Sequence, residues 1–452
     1  MFRVFSLSRT KREPKPARTS HLQHIRFDTD LGSIHGALQA RDAPADNACV
    51  SSITSSASLG HRRRGLTCPG LRLAAPLVVV GGFLALLLAV QLGAYHGHVA
   101  GLVTFGHHQI ADTHPPAGTP IVSPDGYDGQ LYWIQAHDPL LLYRATIAHL
   151  AHAYPGYFLQ RPAYPALAFL LSGGQASALP WSMLAINVIC LLGLTAAVSR
   201  WAVAHGRSAW WGAVIGLTPG LLMPMLRDLS DVLAVTTMLG GLLAWRLNRR
   251  WTAAGLLSIA VLAREPMTLA VVAITVEVLA QGWSARHEPG TVRRAVRRSW
   301  PTIVMPTLAF AGWQIYIHIA VQQAGIGAAQ LGASPVPSLA GYAGELHTIF
   351  AAPLSAYSLW DLVYLGMMAI ASIIAFVRLR QGITAPAVAA VLFAAVLMVI
   401  VFGDPWGETR YSAPLFGALL LSGLERRSRP LVALCSAVAG MGVLAPLFIP
   451  GL

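Results

Sequence analysis

The sequence predicts an all-α integral membrane protein with about eleven transmembrane helices and one large first external loop, and three observations support this. Only 11% of its 452 residues are charged and 55% are hydrophobic, whereas a soluble domain carries about 25% charged residues. The apolar residues form long runs between short charged segments. The charged residues are also sorted by sign along the chain. This composition excludes a cytoplasmic enzyme, a secreted domain and a disordered protein.

The order of the segments separates a tail from a membrane domain. Residues 1–73 are polar and contain no cleavage site after a short apolar core, so we predict a disordered cytoplasmic tail rather than a signal peptide. Residues 74–452 are predicted to form the polytopic membrane domain, since about 20 apolar residues cross a bilayer. The predicted spans are Ala74–Ala94, Leu179–Ser199, Ser208–Leu226, Asp231–Trp245, Trp251–Ala263, Thr268–Gln281, Thr302–Val321, Leu359–Val377, Thr384–Phe402, Ser412–Leu424 and Leu431–Pro450.

The positive charges predict the orientation of these spans. Residues 162–173 form a short apolar stretch with prolines, which we expect to lie on or dip into one face. With that assignment, 27 of the 32 lysines and arginines lie on the N-terminal side of the membrane, as the positive-inside rule requires. The net charge of +13 therefore reports topology rather than nucleic-acid binding. We predict the inner (plasma) membrane, with a cytoplasmic N-terminus and an external C-terminus.

The acidic residues collect on the opposite, external side, where eleven of the nineteen are predicted to lie. Charges at a membrane edge are costly, so such a cluster is a hypothesis for a functional site. In the external loop, residues 95–178, Asp125 and Asp128 flank a glycine and a tyrosine. Either could cap a helix N-terminus, and either could act as a general base on a substrate hydroxyl. The two roles are compatible, and the sequence leaves open which residue has which role.

A motif in this loop carries a family resemblance. The segment Gly126–Trp133 reads GYDGQLYW, Asp138-Pro139 follows it, and residues 160–167 read QRPAYPAL. The pattern resembles a group of bacterial polytopic proteins with a YDGQ motif, which are similar in layout to the GT-C superfamily of polyprenyl-phosphate-sugar-dependent glycosyltransferases. The resemblance covers about residues 74–283. It implies a GT-C-like fold, a catalytic Asp128 or Asp125, and substrate-binding roles for Tyr127 and Gln130.

Two later turns extend the resemblance. Residues 227–231 read RDLSD, in the place of an external Thr-Asp turn of the superfamily, and residues 264–266 read REP, in the place of its basic-residue and proline turn. The resemblance therefore implies substrate-binding roles for Arg264, Glu265 and either Asp228 or Asp231. Arg161 occupies the place of the basic residue in the short Arg/Lys-Pro-x-Tyr-Pro segment.

Glycosyl transfer itself requires a particular set of side chains. A hydroxyl that attacks an anomeric carbon needs a base, and the departing polyprenyl phosphate needs fixed positive charge, which arginine supplies with a bidentate grip. The candidates are Arg161, Arg264 and Arg410, and the alternative for each is a salt bridge to an adjacent acid such as Glu265 or Glu408. Trp406, between two predicted spans, could bind an acceptor sugar or could be an aromatic residue of the membrane interface.

Cofactor and nucleotide motifs are missing from the sequence. The histidines of the external loop lack a third ligand at a fixed spacing, and no Walker A or dinucleotide-binding pattern occurs. We therefore predict no metal and no other cofactor. The predicted function is a membrane glycosyltransferase that moves a sugar from a polyprenyl-phosphate donor to an envelope glycan, lipid or protein acceptor, with membrane lipid around it and no nucleic-acid partner. The alternatives are a transporter or flippase of lipid-linked intermediates, or a scaffold.

Overall fold

The structure is a computed structural model that describes residues 69–109, 113–153, 158–284, 290–324, 356–397, 405–425 and 428–448. All of these residues belong to one compact unit, Leu66–Leu452. Over the described ranges the chain is helical and contains no β-strand, apart from an isolated bridge between Gly106 and Ser123. Residues 1–68 of the predicted tail lie outside the described residues.

The helices follow one another with short connections. The α-helices are α1 Pro69–Ala94, α2 Gly129–His137, α3 Arg144–Ala153, α4 Ala163–Ser172, α5 Leu179–Ala204, α6 Trp211–Gly216, α7 Pro219–Met225, α8 Asp231–Arg246, α9 Arg250–Ala263, α10 Thr268–Ser284, α11 Thr291–Gln323, α12 Ala356–Gln381, α13 Ala385–Leu397, α14 Pro405–Glu425 and α15 Arg429–Phe448. Short 3-10 helices cover Val99–Val103, His107–Gln109, Phe158–Gln160 and Glu265–Met267.

The prediction of an all-α membrane protein is confirmed for the described residues. Six of their helical segments are long and apolar enough to cross a membrane. The predicted total of eleven spans stays a prediction. The six segments are Leu73–Ala94, Leu179–Ala204, Glu265–Ser284, Arg293–Gln323, Leu359–Gln381 and Arg429–Pro446.

Two predicted elements have a different local structure. The predicted span Ser208–Leu226 is divided into α6 and α7, because Pro219 lacks an N–H for a continuous helix and disfavours helical geometry at Thr218. Helix α1 begins at Pro69, inside the predicted tail. The described part of the predicted external loop contains the helices α2, α3 and α4, and α4 has 10 residues, or about 15 Å, too short to cross a bilayer.

One end of the bundle contains a polar network around Glu277, whose role the sequence did not indicate. Its buried carboxylate accepts hydrogen bonds from Trp245 Nε1 at 2.8 Å and from the backbone N–H of Ala385 at 2.9 Å. Arg246 Nη1 lies 3.4 Å from the same carboxylate and its Nε donates to Glu425 at 2.7 Å. Glu277 therefore joins α8 and α10 to the N-terminus of α13.

Candidate active site

The turn between α7 and α8 delivers two carboxylates to the opposite end of the bundle. Asp228 has a left-handed backbone, with φ of +48°, which aspartate tolerates better than most residues. Asp231 lies in the first turn of α8, where the helix dipole favours a negative charge. Both side chains are buried. This turn places the two acids three positions apart in sequence but gives them different surroundings.

The turn between α9 and α10 delivers an arginine and a glutamate to the same region. Pro266 lacks the N–H that would bond to the Leu262 carbonyl in a continuous helix, and its ring would clash with that carbonyl. Helix α9 accordingly ends at Ala263, and Arg264 has an extended backbone. Glu265 then begins the short 3-10 helix that leads into α10. The break in the helix directs Arg264 toward α8 and α14, and it directs Glu265 toward Arg161.

Gln130 holds the loop before α2 in place. Its side-chain oxygen accepts a hydrogen bond from the Gly106 N–H at 3.0 Å, and its amide nitrogen donates to the Asp125 carbonyl at 2.8 Å. Gly126 has φ of +73°, and its N–H donates to Ser123 Oγ at 2.8 Å. The buried Gln130 side chain is thus engaged with the backbone of its own loop, and its predicted role in substrate binding stays a prediction.

Close packing at Gly129 joins the motif to the α7–α8 turn. A Cβ atom at this position would lie 2.6 Å from the carbonyl oxygens of both Arg227 and Val103. Only glycine permits such an approach, and the contact sets Asp128 beside the turn that carries Asp231.

A second glycine positions Arg410. Helix α14 packs on α7, and a Cβ atom at Gly220 would lie 2.1 Å from the carbonyl oxygen of Thr409. The absence of a side chain at Gly220 therefore lets the two helices meet at the residue before Arg410. This contact carries the Arg410 guanidinium into the region between α2 and α8.

Four side chains then form a continuous chain of ion pairs, which we call the ionic cluster: Asp128, Arg410, Asp231 and Arg264. Arg410 Nη1 donates to Asp128 Oδ2 at 2.9 Å, and its Nη2 donates to Asp231 Oδ2 at 3.2 Å. The other oxygen of Asp231 accepts a hydrogen bond from Arg264 Nη1. Asp231 is thus enclosed between two arginines.

Burial and charge act in opposite directions on Arg410. Burial is the largest single influence and would lower the pKa of its guanidinium, but the Asp128 carboxylate and the surrounding tyrosine hydroxyls together outweigh burial and the pKa is raised. Arg410 therefore stays positively charged. Tyr127 adds a further contact, since its hydroxyl accepts a hydrogen bond of 3.1 Å from Arg410 Nη1 and the Arg227 guanidinium lies 5.0 Å from its ring centroid.

A second ion pair lies beside the ionic cluster. The Arg161 guanidinium, which is fully buried, donates to both oxygens of Glu265, at 2.9 and 2.7 Å. Its Nη1 also donates to the Tyr132 hydroxyl at 3.3 Å, and that hydroxyl lies 2.7 Å from Ser230 Oγ. The pair links the external loop to the α7–α8 and α9–α10 turns. Its partner is distant in sequence from Arg161.

Arg264 differs from the other two arginines in its unused hydrogen-bond donors. Its side chain is only 2% exposed, yet Nε and Nη2 have no hydrogen-bond partner within the described part of the chain. The guanidinium carbon lies 4.5 Å from the centroid of the Tyr411 ring. A crevice opens beside Arg264 and Arg410, and its other lining is mainly apolar, including Met267 and Phe393. The chemistry of the lining suits an anion attached to an apolar group, but the crevice has a volume of only about 10 Å³, so its walls must move apart to admit a phosphate.

Asp228 is buried without compensation. Neither carboxylate oxygen has a hydrogen-bond partner among the residues that the structure describes. Burial raises the pKa of this carboxyl well above its ordinary value of 3.8. The two acids of the turn are therefore separated by environment: Asp231 lies between arginines as an anion, and Asp228 lies in surroundings that favour the neutral acid.

The structure distinguishes the two aspartates of the motif. Asp128 occupies the position before α2 but makes no capping hydrogen bond, so the capping interpretation of its side chain is wrong. Its carboxylate is drawn to Arg410 instead. Asp125 is 87% exposed and pairs with His108 at 2.9 Å, outside the ionic cluster. Trp406 lies in the first turn of α14, and its side chain is outside the described part of the structure.

Tyr132 and Ser230 belong to this region although the sequence analysis did not select them. Tyr132 follows Asp128 by four residues, which puts both near the same face of α2. That spacing was the one available signal. Ser230 carries no comparable signal, because its contact with Tyr132 joins residues 98 positions apart.

The comparisons with known proteins leave this site to be interpreted from its own geometry. No family model, no curated protein and no solved structure matches the chain. Within the described ranges, no group of three or more His, Cys, Asp or Glu side chains could hold a metal ion.

Proposed function

We propose that the chain is a membrane glycosyltransferase that transfers a hexosyl or pentosyl group from a polyprenyl-phosphate carrier to a hydroxyl of an envelope glycan, lipid or protein. The observation that carries this proposal is the buried guanidinium of Arg264 with two unused donors beside an apolar crevice. A buried cation with open N–H groups is stabilised by an anion, and phosphate oxygens match guanidinium geometry. The apolar lining matches the chemistry of a prenyl chain, whose first units would bind once the walls of this small crevice move apart.

Exposure supports the assignment of Asp128 as the general base. The Asp128 side chain is 22% exposed, whereas that of Asp231 is 1% exposed. A base must reach the hydroxyl whose proton it takes, and Asp231 is shielded by its two arginines. Asp231 is therefore proposed to position Arg264 and Arg410 rather than to contact the acceptor.

The proposed reaction uses these groups in a single displacement. The acceptor hydroxyl oxygen forms a bond to the anomeric carbon while the bond between that carbon and the phosphate oxygen breaks. The hydroxyl proton passes to Asp128. The polyprenyl phosphate leaves as an anion, and Arg264 stabilises its developing charge, a contribution that is often the largest in such reactions.

A reconstitution experiment tests the proposal. The full-length protein in liposomes would be given radiolabelled polyprenyl-phosphate hexoses and pentoses together with an envelope extract as acceptor. We expect one donor class to be consumed and polyprenyl phosphate to be released. Arg264→Lys, which keeps the charge but loses the planar fork, should weaken apparent donor affinity by about 10-fold or more, corresponding to 1.5–3 kcal/mol for a charge-assisted hydrogen bond.

Arg227→Lys is the matched control, since Arg227 contacts the Tyr127 ring at the same end of the bundle but does not line the crevice. Unchanged donor affinity in Arg264→Lys would contradict the phosphate role. Movement of the intact donor across the liposome bilayer, without cleavage of its sugar–phosphate bond, would instead favour the transporter or flippase.

A further inference from the structure

A cavity at the other end of the bundle combines basic and apolar side chains. It has a volume of about 200 Å³ and lies between the start of α6, the end of α14 and the start of α15. Its basic side chains are Arg207 and Arg429, and its apolar lining includes Trp211, Leu431 and Val432. We call it the Arg207–Arg429 cavity.

The Arg207–Arg429 cavity is separate from the ionic cluster. Arg410 is near the start of α14, whereas Leu424, which lines the cavity, is near its end. Fourteen helical residues at 1.5 Å each place these two positions about 21 Å apart. A ligand in the cavity would therefore not contact the proposed catalytic groups.

The charge of the cavity is not balanced by the acid beside it. Glu425 is the neighbour of Leu424 in α14, but its carboxylate accepts a hydrogen bond of 2.7 Å from Arg246. Arg429 is exposed at the rim, and Arg207 Nε is 3.4 Å from the Leu424 carbonyl oxygen, a weak contact. Both guanidinium groups thus have donors available for an anion.

The apolar side of the cavity continues onto the outer surface of the bundle. Val432 is 44% exposed, and the same helix presents Val443 and Leu444 at 41% and 46% exposure. An inorganic anion would gain nothing from this apolar surface. A phospholipid would place its phosphate between the arginines and an acyl chain along α15.

We propose that the Arg207–Arg429 cavity binds the phosphodiester headgroup of an anionic phospholipid, with one acyl chain along α15. The positive charges of the sequence predict that this end of the bundle faces the cytoplasm, where anionic lipids attract basic segments. Basic pockets between transmembrane helices on that side are a recurrent form of lipid headgroup site. The site would fix the ends of α14 and α15 at the membrane surface.

Native mass spectrometry of the full-length protein in mild detergent tests this proposal. The probes are dioleoyl phosphatidylglycerol, dioleoyl phosphatidylcholine and inorganic phosphate. The wild type should bind one phosphatidylglycerol molecule in preference to phosphatidylcholine. In the double variant Arg207→Gln/Arg429→Gln the dissociation constant for that molecule should rise about 10-fold or more, as expected for the loss of charge-assisted hydrogen bonds.

The control is Arg200→Gln/Arg249→Gln, which removes two exposed arginines from the same predicted face but outside the cavity. It should bind phosphatidylglycerol as the wild type does. An equal loss of phosphatidylglycerol affinity in both double variants would overturn the proposal and indicate general surface electrostatics. Displacement of the lipid by inorganic phosphate would also overturn it and indicate a site for free anions. If the cavity variant does not fold, the wild type still decides, because a lack of preference over phosphatidylcholine excludes the site.

Discussion

Arg410 donates a hydrogen bond of 2.9 Å to the carboxylate of Asp128, although 282 positions separate the two residues in the chain. The same guanidinium reaches Asp231 at 3.2 Å. One arginine near the start of α14 thereby ties the external loop to the α7–α8 turn. Through these two contacts, charged residues that are distant in sequence form one connected cluster. The contacts also indicate which variants should change turnover and which should change stability.

The first prediction concerns Asp128. Asp128→Asn keeps an oxygen that can accept the Arg410 hydrogen bond but removes the proton acceptor. Turnover of the folded protein should fall by about 100-fold or more, within the range of general-base contributions. The melting temperature should fall only modestly, because Arg410 loses one charged partner but keeps Asp231. Initial rates and thermal unfolding of the purified protein measure the two quantities.

Asp125→Asn is the control for this variant, because Asp125 is exposed and pairs with His108. Its turnover should stay close to that of the wild type. A larger loss in Asp125→Asn than in Asp128→Asn would exchange the roles assigned to the two residues.

The second prediction separates Arg161 from Arg264. Both oxygens of Glu265 accept hydrogen bonds from Arg161, and lysine cannot reproduce this fork. Arg161→Lys should therefore lower the free energy of unfolding by about 1.5–3 kcal/mol and change donor affinity less than Arg264→Lys does. Chemical denaturation and donor titration would be compared for the two variants, and a stable Arg161→Lys protein with weak donor binding would return Arg161 to the donor site.

The third prediction concerns the close contact of α7 with α14. A Cβ atom at Gly220 would lie 2.1 Å from the Thr409 carbonyl oxygen, so Gly220→Ala must push the helices apart. We expect a loss of about 1–3 kcal/mol in stability, together with a loss of turnover because Arg410 moves. Gly255→Ala is the matched control, since no atom lies within 4 Å of its added Cβ. It should be neutral or stabilising by up to about 1 kcal/mol. Equal effects of the two substitutions would argue against the proposed contact.

The fourth prediction concerns the pH dependence that Asp228 confers. Burial raises the pKa of its carboxyl above the unfolded value, so the folded protein binds more protons than the unfolded one above about pH 4. Stability should then fall as the pH rises from the unfolded pKa toward the folded pKa, and the loss persists above it. Asp228→Asn removes this dependence. Its melting temperature relative to the wild type should rise with pH, and a constant difference between pH 4 and 8 would contradict the assignment.

The fifth prediction concerns topology. Helix α11 spans Thr291–Gln323, with four arginines near its N-terminal end and the exposed Gln323 at its other end. Single cysteines at Arg294 and Gln323 should be labelled from opposite sides of the membrane, with Arg294 on the cytoplasmic side. Labelling of both positions by an impermeant reagent added from outside would show that α11 does not cross the membrane, and labelling of position 294 alone would show that the topology is reversed.

Composition and local sequence patterns were sufficient to predict the class of protein, an all-α membrane protein. Long apolar runs with few charges can be solvated only by lipid, and a helix satisfies its own backbone hydrogen bonds there. The predicted spans end at Ala263 and begin again at Thr268, as α9 and α10 do, because a charged pair interrupts the apolar run there. The break at Pro219 was missed, since the hydropathy of residues 208–226 reads as one continuous span.

The sequence by itself determined that acids and arginines gather at one end of an all-helical bundle, but only the tertiary structure decided their partners. The alternative considered for each arginine was a salt bridge to an adjacent acid such as Glu265 or Glu408. Glu265 does form a salt bridge, but with Arg161, 104 positions away, and not with its neighbour Arg264, which pairs with Asp231. Such pairings depend on which helices pack together and at which glycines they approach closely. The same packing buries Asp228 without a partner and encloses Asp231 between Arg264 and Arg410. Two acids of one turn thus acquire different properties because burial and neighbouring charge are set by contacts between distant segments.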